Sequence, residues 1–236
     1  MGSQRLILVD GSGYIFRAFY ALPPMSREDG TPVNAVFGFT SMLLKLSEDM
    51  EGENILVVFD AARTTFRNEI YKEYKANRSE PPEELVPQFD LIKKATTAIG
   101  LKSLEVENYE ADDIIATYVK IAKKENIETL VISSDKDLMQ LIQDGVSLYD
   151  PMKNIKIGPE AVLEKFGVSP DKVIDVQALA GDSSDNVPGV PGIGVKTASQ
   201  LINEYGSLEK LLDNASSIKQ EKRRESLLNN AELAIV

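Results

Sequence analysis

The chain has 236 residues and 43% hydrophobic content, enough for one large core or for a core with a smaller appendage. Cysteine and histidine are both absent, which excludes disulfides, thiolate nucleophiles, thiolate zinc sites, histidine bases and Ser-His-Asp triads. The formal net charge of −11 argues on average against a polyanion partner, so the order of acids and bases along the chain decides.

No apolar run approaches the roughly 18 residues that a membrane span needs. No secretory signal precedes the first strand, and the lack of cysteine is compatible with the cytoplasm, the expected compartment. Met1-Gly2-Ser3 has the composition of a cloning scar. With no thiolate or imidazole available, a metal site here consists of carboxylates and water, a donor set that selects Mg²⁺ or Mn²⁺.

In chain order, Arg5 to Val9 is a short apolar run that reads as a buried strand. It ends in Asp10, and Gly11-Ser12-Gly13 turns the chain into a helix from Tyr14 to Tyr20. The Gly-Ser-Gly matches neither the Walker nor the dinucleotide pattern. Pro23 to Pro32 is a loop, and Asn34 to Met50 a helix. Asn54 to Phe59 is a second buried strand, again ending in an aspartate, Asp60.

A basic and aromatic stretch follows: Arg63, Phe66, Arg67, Tyr71, Lys72, Tyr74, Lys75 and Arg78. Arg67, Tyr71 and Lys75 are four apart, so a helix would gather them on one face. Cations interleaved with rings suit single-stranded nucleic acid; a solvated amphipathic helix is the plain alternative. Pro82 then suits a helix start, and Glu83 to Ile99 reads as helix with a possible kink at Pro87.

Leu101 to Val106 is a strand candidate leading into Asn108-Tyr109-Glu110-Ala111-Asp112-Asp113. Three carboxylates crowd this helix start, and Ile114, Ile115, Tyr118, Val119 and Ala122 supply its apolar face. Acids suit the positive end of a helix dipole. A cluster of them, joined by others, repels itself unless a cation is bound. Glu128 to Ser133 is another strand, followed by Ser134-Asp135-Lys136-Asp137. Strands alternating with helices indicate an α/β fold around a mostly parallel sheet, where ligands bind beyond the carboxyl ends of the strands. Asp10, Asp60, Asp135 and Asp137 belong to that edge.

Short strand candidates at Val146 to Tyr149 and Ile155 to Ile157 precede helices over Pro159 to Phe166 and Pro170 to Ala180. Asp182 and Asp185 come next, then Val187-Pro188-Gly189-Val190-Pro191-Gly192-Ile193-Gly194-Val195-Lys196-Thr197-Ala198. The Gly-x-Gly-x-Lys turn opening a helix is the hairpin of a helix-hairpin-helix, which grips a phosphate backbone without reading bases. Beyond Asn214 the pattern is helical and basic.

These motifs resemble the 5′-nuclease domain of bacterial DNA polymerase I, within the flap endonuclease family. The matching residues are Val9-Asp10-Gly11-Ser12, Phe59-Asp60, Tyr74-Lys75-Ala76-Asn77-Arg78, Tyr109-Glu110-Ala111-Asp112-Asp113, Ser134-Asp135-Lys136-Asp137 and Gly181-Asp182-Ser183-Ser184-Asp185-Asn186 with its hairpin. They cover nearly the whole chain in the family's order.

The resemblance implies a PIN-like or resolvase-like core over residues 1–158 with a helical arch around 61–98. It implies a helix-hairpin-helix subdomain over 159–236, shorter at its C-terminus than the family usual. It implies two Mg²⁺ or Mn²⁺ ions. Asp10, Asp60, Glu110 and Asp112 would hold the first; Asp135, Asp137 and Asp185 would hold the second, with Asp113 and Asp182 in support. Lys75 would reach the scissile phosphate, and Arg78 and Tyr74 would steer the strand. Arg17 and Tyr20 would lie near the entry, and Arg67, Gly192, Gly194, Lys196 and Thr197 would contact DNA. Carbonyls of Leu179, Ala180, Pro188, Val190 and Ile193 would hold K⁺. The implied partner is DNA with a 5′ flap or a 5′ end at a duplex junction, including an RNA primer strand. The implied protein is a monomer with covalently linked polymerase domains. The rival from another class is a non-catalytic DNA-binding module of the same fold.

Overall fold

The computed structural model describes residues 5–50, 53–151 and 153–235; the Met1-Gly2-Ser3 reading lies outside them. The described chain divides into two units. One comprises Met1–Thr65, Ser79–Leu138 and Asp144–Lys156; the other comprises Phe66–Arg78, Met139–Gln143 and Ile157–Val236.

The first unit is built on a sheet of β1 (Leu6–Asp10), β2 (Asn54–Val58), β3 (Lys102–Leu104), β4 (Thr129–Ile132), β5 (Val146–Asp150) and β6 (Ile155–Ile157), in the order β3-β2-β1-β4-β5-β6. The pairs β1/β2, β1/β4, β2/β3 and β4/β5 are parallel. The central strands are continuous apolar runs because helices cover both faces of a parallel sheet. Parallel strands require crossovers, and the helices supply them: α1 (Gly11–Ala21) and α2 (Asn34–Asp49) between β1 and β2, and, between β3 and β4, α5 (Ala111–Lys124). Between β2 and β3 come a five-residue helix, α3 (Phe66–Ile70), and α4 (Gln88–Ala98). Ile7, Val9, Tyr14, Ile15, Phe39, Leu43, Val57, Phe59, Ile92 and Ile132 share one core.

Local chemistry sets the helix ends. Asp10 caps α1, so the Gly-Ser-Gly expected to be a turn is the helix's first turn. Gly11 is required there, since a Cβ would lie 2.5 Å from the Phe59 ring. Val33 gives α2 no side-chain cap. Buried Gln88 supplies one instead, its Oε1 accepting from the N–H groups of Ala35 (2.8 Å) and Val36 (3.1 Å).

Two helix expectations shorten. The helix expected over Glu83 to Ile99 begins only at Gln88, after Pro87. The face expected to gather Arg67, Tyr71 and Lys75 does not form: α3 stops at Ile70, and turns carry the chain through Tyr71–Asn77. Lys75 has φ of 55°, which no α-helix accommodates.

In the second unit, α6 (Pro159–Phe166), α7 (Val173–Ala180), α8 (Val195–Tyr205), α9 (Leu208–Asp213) and α10 (Glu221–Asn229) pack around Val162, Phe166, Val176, Leu179, Leu201, Ile202 and Leu211. No described helix is long and apolar enough to cross a membrane.

Candidate active-site residues

The carboxyl edge of the sheet carries Asp10 at the end of β1, with Asp60 and Asp135 just past β2 and β4. Asp10, at the end of β1, is 8% exposed. One of its oxygens accepts from Gly13 N–H (3.3 Å) and the other from the Ser133 hydroxyl (2.8 Å). Ser133 Oγ in turn accepts from Asp135 N–H (3.0 Å), and Asp135 Oδ1 accepts from Asp137 N–H (2.8 Å). A chain of hydrogen bonds therefore runs from β1 across the end of β4 into the Asp135–Asp137 turn.

Asp60, just past β2, accepts from the Ser12 hydroxyl (2.6 Å) and from Ala111 N–H (2.7 Å). The second bond docks the start of α5 against the end of β2, as the positive end of a helix favours. Glu110 is 7% exposed at that start, with Asp112 and Asp113 in the first helical turn. Asp113 accepts from the Glu110 N–H (3.1 Å), as in a capping box. Its carboxylate thus also serves the helix end.

Electrostatics agree with this grouping. Burial pushes the Asp10 carboxyl up to about 6, against the lowering effect of Ser133 and Gly13, and the charges of Asp60 and Asp135 push the same way. Burial likewise raises Tyr14, within the field of Arg17 and of the acids Asp10 and Asp150.

In the second unit, Asp185 is the hub of the 66–78 segment. It accepts from Arg78 (2.5 Å) and the Tyr74 hydroxyl (3.1 Å), with Lys75 Nζ at 3.8 Å. Its carbonyl accepts from Lys75 N–H (2.9 Å), which fixes Lys75 in its left-handed conformation. Asn77 donates to the Ser183 carbonyl and Asn186 to that of Glu73, each at 2.7 Å. Lys75 and Arg67 lie over the Tyr74 ring at 4.9 and 6.0 Å. Asp182 is buried, and its Oδ1 accepts from Ser184 N–H (2.7 Å).

The hairpin is closed by paired bonds between Asp182 and Val187, 2.8 Å each way. Leu179 carbonyl accepts from Val190 N–H, and Val190 carbonyl from Ile193 N–H. Gly181 and Gly189 touch backbone to backbone: a Cβ on Gly189 would lie 2.3 Å from Gly181 N. Gly192 and Gly194 are exposed, and Gly194 caps α8. Within α8, the first amide hydrogen bonds come from Thr197 and Ala198, both to Gly194 carbonyl. The two residues before them, Val195 and Lys196, are exposed. Helix starts of this kind favour anions. On α1, Arg17 and 71%-exposed Tyr20 are one turn apart.

Among the described residues, no three acids are drawn together closely enough to hold a metal as they stand. The carboxylates instead take backbone amides and hydroxyls. The donor set still fits a hard divalent cation. It is all oxygen, and Asp10 sits buried in the field of two further acids, a cost that a bound cation would offset.

Ser12 and Ala111 stand in the matching motifs without a role, and Ser133 only as a strand end, although the Ser12 and Ser133 hydroxyls and the Ala111 amide each orient an acid. For Ser133 the available signal was a hydroxyl at a strand end two residues before an aspartate. Asn77 and Asn186 carried no signal that separates them from ordinary turn residues.

Comparison with known proteins places the chain. The model of the 5′-3′ exonuclease N-terminal resolvase-like domain matches residues 5–167, and that of the 5′-3′ exonuclease C-terminal SAM fold matches residues 168–236. DNA polymerase I of Rhizobium leguminosarum is 54% identical over 98% of this chain, and that of Bacillus caldotenax 44% identical over 99%. The chain spans 24% and 27% of those relatives' lengths. A bacteriophage T5 flap endonuclease, solved as a pseudo-enzyme-product complex with DNA and metal ions, superposes with a TM-score of 0.81. It is 26% identical, the match covering 98% of this chain and 86% of the other.

Proposed function

The chain belongs to the 5′-3′ exonuclease family, and from that premise we propose that it is a structure-specific 5′-nuclease that hydrolyses DNA phosphodiesters with two divalent ions, Mg²⁺ or Mn²⁺. The observation that carries this reading is the gathering of Asp10, Asp60, Asp135 and the acidic start of α5 at one sheet edge, with Asp10 pushed up to about 6.

Asp10, Asp60, Glu110 and Asp112 are assigned to one ion, and Asp135 and Asp137 to the other. Asp113 supports them through the helix end it holds. Asp182 and Asp185 are retained in the proposed metal set on their chemistry alone. When bound, such ions supply an activated water and neutralise charge on the departing oxygen. The chain's own groups do the rest. Ser133 and Ser12 hold the carboxylates in place. Lys75 neutralises charge developing at the scissile phosphate. Arg78, Arg67 and Tyr74 grip the single strand by charge and stacking, while Arg17 and Tyr20 guide its entry.

The hairpin residues Gly192, Gly194, Lys196 and Thr197 hold duplex phosphate. The carbonyls of Leu179, Ala180, Pro188, Val190 and Ile193 are proposed to bind K⁺. The proposed substrates are 5′ flaps and 5′ ends at duplex junctions, with RNA primer strands among them. The proposed setting is the nuclease domain of a cytoplasmic DNA polymerase I, monomeric and serving primer removal and repair. The proposed division is a core over 1–158, with its arch around 61–98, and a DNA-binding subdomain over 159–236.

Asp112→Asn tests the metal assignment against the non-catalytic reading. Cleavage of a 5′-flap duplex in Mg²⁺ should be abolished while DNA binding survives. Unchanged turnover would refute the assignment.

A further inference from the structure

Asp185 is kept in the metal set on its chemistry alone, yet its carboxylate is already engaged. Arg78 donates to Oδ1 at 2.5 Å and the Tyr74 hydroxyl to Oδ2 at 3.1 Å, with Lys75 Nζ 3.8 Å from Oδ2. These are side chains that the proposed function gives to the DNA strand, and here one carboxylate occupies all three. An arginine fork takes a carboxylate and a phosphate by the same geometry. Two cations and a hydroxyl around one oxyanion would serve a phosphodiester equally well.

Two roles are open to such a carboxylate. Either it holds the 66–78 segment in place, or it covers a cradle that other bonds hold. Those other bonds decide between the two. Lys75 N–H donates to the Asp185 carbonyl (2.9 Å), Asn77 Nδ2 to the Ser183 carbonyl (2.7 Å) and Asn186 Nδ2 to the Glu73 carbonyl (2.7 Å). Within the segment, Asn68 Nδ2 donates to the Tyr74 carbonyl (3.0 Å). None of these bonds uses the Asp185 carboxylate. The segment is therefore anchored to 183–186 at residues 73, 75 and 77 without it. Exposure points the same way. The Arg78 side chain is 50% exposed and that of Asp185 only 14%, so a phosphate arriving from solvent meets Arg78 before it meets Asp185.

We propose that Asp185 is a resident stand-in for the DNA phosphate, an autoinhibitory contact that covers Arg78, Lys75 and Tyr74 until a phosphodiester displaces it, a role that rests on the DNA contacts proposed for those three groups. One anion is exchanged for another, so the free protein binds a single strand less tightly than the uncovered cradle would. The exchange also releases the Asp185 carboxylate for the metal set.

The test is binding of a fluorescently labelled single-stranded deoxythymidine dodecamer to the full chain in EDTA, where metal ligation plays no part. Asp185→Asn keeps the size of the side chain and removes its charge. It should tighten binding about tenfold, as for a cradle uncovered about a tenth of the time in the wild type. Arg78→Ala should weaken binding several-fold more in the Asp185→Asn background than in the wild type, because the covering anion is gone there. Asn186→Gly removes an anchor while suiting the positive φ of that position, and should weaken binding. Asp185→Ser repeats the measurement should the asparagine variant fail to fold. Unchanged affinity of Asp185→Asn, with Arg78→Ala still weakening the wild type, would overturn the covering role alone. Weaker binding by Asp185→Asn, matching that of Asn186→Gly, would make the carboxylate a strut for the segment and overturn the proposal as well. Arg78→Ala without effect in either background would overturn it together with the DNA role of the segment.

Discussion

Asp10 has two demands on it that conflict. Its carboxylate caps α1 and binds Ser133, which favours ionisation, yet burial and the neighbouring acids push it up to about 6. The folded chain thus holds this proton more tightly than the unfolded chain, whose carboxyl titrates near 3.8. The associated stability is present below about pH 4 and is lost as pH rises through about 6. Asp10→Asn keeps an oxygen acceptor and removes the charge. It should stabilise the metal-free protein above pH 7 by on the order of 1–3 kcal/mol, and the difference should vanish below about pH 4. Urea titrations in EDTA across that range read the effect; a variant less stable at neutral pH would contradict it. Lys75 poses the complementary question. Held by Asp185 in a left-handed conformation, it is assigned to the phosphate rather than to affinity. Lys75→Ala should lower single-turnover cleavage about 10²–10³-fold with much less change in duplex binding, and equal losses would remove it from that role. The acids themselves were legible because strand-ending aspartates with an acidic helix start are hard to explain by packing. Their orienting hydroxyls were not, since Ser12 and Ser133 look like any serine near a turn.

At the scale of elements, periodicity located every long element, and the failures have local causes. The 67–78 stretch has helical spacing, but Lys75 adopts φ of 55° and α3 ends at Ile70. Contacts with 183–186 override propensity there, and sequence spacing does not show them. The cap on α2 was equally hidden, because Gln88 is more than fifty residues from the amides it satisfies. The hairpin was legible because its glycines are needed for different reasons. Gly189 and Gly181 allow two backbone segments to touch, while Gly192 needs only its positive φ in open space. Gly189→Ala should therefore cost about 3 kcal/mol or more, and Gly192→Ala about 1 kcal/mol. Thermal melts of the two variants should differ accordingly, and equal losses would contradict the close approach.

For the whole molecule, the parallel sheet explains why acids distant in sequence form one set. Every strand of β1, β2 and β4 points its carboxyl end the same way, so Asp10, Asp60 and Asp135 share an edge by topology. The net charge of −11 is an average: it includes the acids of that edge, and it does not show the local run of cations at Arg67, Lys75 and Arg78, to which the proposed function assigns contacts with the DNA strand. The most direct test is cleavage of a 5′-labelled flap duplex by the wild-type chain in Mg²⁺, in EDTA, and after Mg²⁺ or Mn²⁺ is restored. The expected result is cutting at the flap junction that EDTA abolishes and added metal recovers. Cutting that persists in EDTA, or an intact flap bound by protein in the presence of metal, would contradict a divalent-metal nuclease built on the acids of this edge.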